Sequence, residues 1–191
     1  DQADMWVHEG FTMYSEVLFT ENYMDKKSAD IYAQGIQYGI QNDIPIIGKY
    51  GVRNEGSGDM YPKGASMLHT IRQVINNDEK FRQILRGLNK DFYHQTVTTQ
   101  QVEKYISDKA GIDFSTVFDQ YLRTVKVPVL EYSQNGNELK FRYTDTIPNL
   151  KLPVRIGDQT ITPTAEWQTV KLKNDSAVEF NRNYYIRFKK V

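Results

Sequence analysis

The hydrophobic period of this chain changes once, near Lys126, and that change limits the folds open to it. Before it, apolar residues recur at three- and four-residue spacing, as in Met67, Leu68, Ile71, Val74 and Ile75, or Phe81, Ile84, Leu85 and Leu88. Each such stripe buries one face of a helix. After it, Val127–Tyr132, Glu138–Tyr143, Leu150–Ile156, Glu166–Leu172 and Tyr184–Phe188 read as short strands, several alternating apolar with polar. Asn135-Gly136 and Gly157-Asp158 supply hairpin turns between them. The predicted class is α+β: a helical bundle over residues 1–126, then a small β-sandwich over 127–191.

Helix borders follow from local chemistry. A helix is predicted within Asp25–Asn42, weakened by Gly35 and Gly39, which are assigned to close helix packing. Met60–Asn77 forms the next, with Tyr61 at its start and Pro62 in the first turn, where no amide hydrogen is missed. Asp78 is expected to cap another, which Gly87 weakens. Thr98 and Gln101 spell a capping box for a helix ended by Gly111, and Ser115 opens a short last one. Between Asp43 and Asp59, Pro45 and four glycines mark a loop. Its Gly-Val-Arg-Asn-Glu-Gly-Ser-Gly run lacks the Lys-Ser/Thr ending of a phosphate cradle, so a wall of a substrate cleft is the better reading.

Composition excludes several classes. Lysine plus arginine equals aspartate plus glutamate at 24 each, which argues against nucleic-acid binding and against adsorption to membranes. No apolar run approaches the roughly 20 residues that span a bilayer. The absence of cysteine removes disulfides and thiolate zinc sites, and suits a cytosol or a periplasm.

The chemistry concentrates in Asp4-Met5-Trp6-Val7-His8-Glu9-Gly10-Phe11-Thr12-Met13-Tyr14-Ser15-Glu16. In a helix, Glu9 and Glu16 share a face, two turns apart. The plain reading is an amphipathic helix whose acids face water. A buried carboxylate, by contrast, requires a cation, a donor or a metal. The wording of the stretch favours the second reading. Trp6, Glu9-Gly10, Tyr14 and Glu16 resemble the helix that carries the third zinc ligand in the aminopeptidase N family of gluzincins. Tyr61-Pro62-Lys63-Gly64-Ala65 resembles the Tyr-x-Lys-Gly segment of the same family, which carries its catalytic tyrosine.

The resemblance implies a thermolysin-like helical portion followed by a small sandwich, with Val125-Lys126-Val127-Pro128-Val129-Leu130 as the passage between them. It covers residues 1 to about 145 by sequence, and the rest by architecture only. It implies Glu9 as a zinc ligand and Glu16 as an acid orienting a zinc-bound histidine. It also implies Tyr61 as the oxyanion donor, and Lys63 as structural or as a partner for an acid. His8 stands at a permissive position, and His69, alone on its helix, is read as a surface or satisfied residue.

The family's His-Glu-x-x-His motif has no copy here, since Thr12 stands where His8-Glu9 would need its second histidine. Two zinc ligands, the general base and the Gly-x-Met-Glu-Asn segment are therefore expected in an upstream catalytic half, with a peptide as substrate. Zinc hydrolysis takes three protein ligands and an open position for water, so the isolated chain is expected to be inactive and to hold zinc adventitiously if at all. A non-catalytic interaction module and a degenerate family member remain as alternatives, separated by whether the longer reading frame holds His-Glu-x-x-His.

Overall fold

The computed structural model describes all 191 residues, and its elements follow the predicted change of period. Six helices come first: α1 (Trp6–Tyr23), α2 (Lys26–Ile36), α3 (Pro62–Ile75), α4 (Asp78–Asp91), α5 (Thr99–Ala110) and α6 (Ser115–Leu122). Six strands follow: β1 (Val129–Asn135), β2 (Glu138–Thr144), β3 (Val154–Ile156), β4 (Gln159–Ile161), β5 (Gln168–Lys171) and β6 (Arg187–Lys190). The architecture is α+β, a helical bundle followed by a small β portion, as the sequence implied.

Local signals set most helix ends. Thr98 and Gln101 form the expected reciprocal capping box, and Gly111 closes α5 in the left-handed conformation at φ 69°. Pro62 occupies the first position of α3, and Asn76 ends that helix left-handed at φ 49°. Two expectations shift. Asn77, not Asp78, caps α4, its side chain accepting from the Lys80 amide, which leaves the Asp78 carboxylate free to pair with Arg72 and Lys26. Helix α2 stops at Ile36 and tightens into a 3₁₀ turn, Gln37–Gly39, well short of Asn42. Gly35 and Gly39 do not mediate close packing: a Cβ on either would meet nothing within 4 Å.

The strands make a four-stranded sheet in the order β5-β2-β1-β6 and a separate two-stranded hairpin of β3 and β4. Strands β1 and β2 pair antiparallel around Gly136, at φ 55°, while β6 joins β1 in parallel. Three predicted strands shrink. Pro153 cannot donate to a ladder, so Leu150–Ile156 is extended only from Val154. Glu166–Leu172 keeps Gln168–Lys171. Tyr184–Ile186 is drawn into the helices instead, where the Thr70 hydroxyl accepts from the Tyr185 amide and the Tyr121 hydroxyl donates to the Tyr185 carbonyl. Strand β4 carries too few apolar residues to be read from its sequence.

One continuous core joins the two parts. Trp6, Tyr14 and Val17 of α1 pack with Met67, Leu68 and Ile71 of α3, and Phe118 and Tyr121 of α6 continue toward Leu130, Leu139 and Val154 of the strands. The buried Gln120 ties the joint: its amide nitrogen donates to the Lys126 carbonyl, and its oxygen accepts from the Ile147 amide.

Candidate active site

Helices α1 and α3 meet glycine to glycine. A Cβ on Gly64 would stand 3.0 Å from Gly10 Cα, and one on Gly10 would stand 3.2 Å from the Met60 carbonyl oxygen. No other residue type permits backbones to approach so closely without displacement. Trp6 ties the start of α1 to α5, its indole N–H donating to Thr99 Oγ1 at 2.7 Å.

The crossing places Glu9, one residue before Gly10, beside Tyr61, three residues before Gly64. Tyr61 sits between the 3₁₀ turn Gly58–Met60 and the first residue of α3, and the residue is 43% exposed. Partial desolvation, then the Glu9 carboxylate and more weakly Glu55, raise its phenol above the ordinary value. The phenol thus stays protonated, a neutral donor, across the physiological range. Glu9 is half-buried and belongs to none of the chain's ion pairs. Its carboxylate is available to an external ligand.

Glu16 lies two turns along the same face, exposed, with the Tyr32 hydroxyl of α2 donating to its Oε2. Lys63, by contrast, is fully buried, and its ammonium donates to the Thr124 carbonyl at 2.8 Å rather than pairing with an acid. His69 is buried too, within reach of the Tyr14 hydroxyl at 3.3 Å and Asp30 at 3.6 Å, which makes it satisfied rather than surface. His8 is exposed.

The loop before α3 is pinned at many points. The Tyr50 hydroxyl donates to Asp4 at 2.6 Å, the Gly51 amide to Asp1 at 2.9 Å, and the Ile47 amide to the Leu122 carbonyl at 3.1 Å. Asp59 accepts from the amides of Gln41 and Asn42. Glu55 reaches the Tyr61 phenol electrostatically from this loop, a role that no sequence period could signal. A different groove, about 530 Å³, lies between α1 and α4 and is lined by Val7, Phe11, Leu18, Leu85 and Leu88. Helical spacing puts those α1 residues on the far side from Glu9, so this groove is no part of the site.

Nowhere do three histidine, aspartate, glutamate or cysteine residues gather as a metal cage. The donor chemistry therefore fits zinc as one ligand of a set, not as a complete site.

The fold is shared with a solved aminopeptidase. The crystal structure of Legionella pneumophila aminopeptidase A in complex with aspartic acid superposes with a TM-score of 0.62 at 15% identity, over 99% of this chain and 24% of that one. Residues 2–121 match the Peptidase family M1 domain, and the chain belongs to that family. It is 28% identical over 121 residues to Aminopeptidase 2, mitochondrial, of Saccharomyces cerevisiae, covering 62% of this chain and 12% of that protein. It is also 26% identical over 127 residues to the probable aminopeptidase 1 of Sulfurisphaera tokodaii, covering 62% and 16%. The chain thus spans less than a quarter of the length of these relatives.

Proposed function

We propose that this chain carries the third zinc ligand and the oxyanion donor of a zinc-dependent aminopeptidase that removes N-terminal residues from peptides. The observation that carries this reading is the meeting of Glu9 and Tyr61 at the Gly10–Gly64 crossing, with both groups accessible and Glu9 free of any cation. Glu9 would bind zinc through its carboxylate. Zinc, when bound, supplies Lewis acidity, which activates water and polarises the peptide carbonyl. Tyr61 would donate its phenolic hydrogen bond to the carbonyl oxygen as negative charge develops there. A raised pKa suits this role, because the group must keep its proton while the substrate oxygen gains charge.

Glu16 would orient a zinc-bound histidine from the same face of α1. The two histidine ligands and the general base belong to a His-Glu-x-x-His segment outside these 191 residues, so the isolated chain neither retains zinc tightly nor hydrolyses peptides. Residues 1–126 act as the helical portion of the catalytic domain, residues 127–191 form a small sandwich domain, and the pinned 43–59 loop walls the substrate cleft.

The test is zinc content. In the enzyme that includes this chain, Glu9→Ala is expected to lower the zinc retained after dialysis and to remove activity, which excess zinc partly restores. Full zinc occupancy in Glu9→Ala enzyme would refute the assignment.

A further inference from the structure

Lys63 is a costly residue where it stands. Its side chain is fully buried, in the first turn of α3, where both desolvation and the positive end of the helix dipole disfavour a cation. Its one hydrogen bond runs from Nζ to the Thr124 carbonyl at 2.8 Å, and no carboxylate comes close enough for an ion pair. The charged groups facing it are Asp59 and Asp43, both from the connection before α3. Asp59 already accepts from two backbone amides, and Asp43 from the Ser57 hydroxyl. Burial outweighs both acids and pulls the ammonium down to about 8. An apolar side chain of similar length would fill the space without this cost, and such replacements of buried ions are often neutral or stabilising. Packing therefore does not explain the lysine.

Its position does. Tyr61 is 43% exposed and no hydrogen bond from its hydroxyl to a distant element pins it, so the backbone of the first turn decides where its phenol stands. Two adjacent residues fix that turn from two sides. Gly64 rests against Gly10 of α1, toward Glu9, and Lys63 grips the connection between α6 and β1 through Thr124. We infer that Lys63 is a positioning residue for Tyr61, its buried ammonium holding the first turn of α3 against the α6–β1 connection so that the phenol stays beside Glu9. This inference rests on the pairing of Tyr61 with Glu9 proposed above.

The experiment measures kcat and KM in the enzyme that includes this chain for Tyr61→Phe, Lys63→Met and the double variant, with a melting curve for each. Lys63→Met is expected to lower kcat on the order of 10-fold or more with KM nearly unchanged and melting unchanged or raised. It is expected to add nothing in the Tyr61→Phe background, because a phenol already removed cannot be misplaced. If Lys63→Met fails to fold, Lys63→Gln takes its place under the same criterion. A Lys63 variant with normal kcat, or one that lowers kcat equally in the Tyr61→Phe background, overturns the positioning role and leaves the reading of Tyr61 intact. A near-normal kcat in Tyr61→Phe removes that reading, and the role of Lys63 with it.

Discussion

Gly64→Ala puts one methyl group into the backbone contact between α1 and α3. Its Cβ would stand 3.0 Å from Gly10 Cα. Carbon atoms rest at about 3.5–4.0 Å, so the helices must part by roughly 0.5–1 Å. Both atoms in the clash are fixed to backbone, and no rotamer can relieve it. Overpacking of this kind costs about 1–3 kcal/mol, while alanine returns about 1 kcal/mol of helix propensity over glycine. Gly35→Ala serves as the control, because its Cβ meets nothing within 4 Å and only the propensity gain remains. The propensity gains roughly cancel between the two variants, leaving the clash. Gly64→Ala should therefore melt below Gly35→Ala by about 2–12 °C, at roughly 2–4 °C per kcal/mol for a chain of this size. Circular dichroism at the helix band measures both. In the enzyme, the same parting moves Tyr61 from Glu9, and a displacement of about 1 Å can cost on the order of 100-fold in rate. A Gly64→Ala chain melting at or above Gly35→Ala would show that the crossing tolerates a side chain, and the geometric account of the site would fall.

Other outcomes follow from the same geometry. Tyr61→Phe in the enzyme should lower kcat by roughly 100- to 1,000-fold with KM nearly unchanged, since the lost hydrogen bond forms mainly in the transition state; a near-normal kcat would contradict the oxyanion role. Calorimetry of the 191-residue chain with zinc should show no tight one-to-one site, and a tight site surviving Glu9→Ala would mean that the metal is held elsewhere. His69 is pushed down to about 4, chiefly by burial and then by Arg72, against about 6.5 in an unfolded chain. The unfolded state binds the extra proton first, so stability falls as pH drops through that window, by about 1–2 kcal/mol between pH 7 and pH 5. Urea melts should show this loss, and His69→Gln should flatten it. Below that range the Arg72 guanidinium, which holds Asp78 down to about 2, stops contributing as pH falls from about 4 toward 2.

The sequence by itself determined what neighbours along the chain decide. Helical stripes, the Thr98–Gln101 box, Pro62 at the start of α3 and the turns at Gly136 and Gly157 all arise from contacts within a few residues. The residues of the proposed site, Glu9, Glu16 and Tyr61, also stood out in the sequence, because they sit in stretches whose wording is specific. Only the tertiary structure decided which surfaces meet. It chose Gly10 and Gly64 for the close approach rather than Gly35 and Gly39, although nothing local distinguishes the pairs. It withdrew Tyr184–Ile186 from the sheet, because Thr70 and Tyr121 of distant helices offered hydrogen bonds that a strand neighbour would otherwise supply. It also buried Lys63 and gave it the Thr124 carbonyl as its partner rather than an acid. Period and caps report the free energy of one segment, whereas burial and crossing depend on the volumes of faces from far along the chain. For that reason Glu9 and Tyr61 were readable as separate residues, and are neighbours only where two glycines let their helices touch.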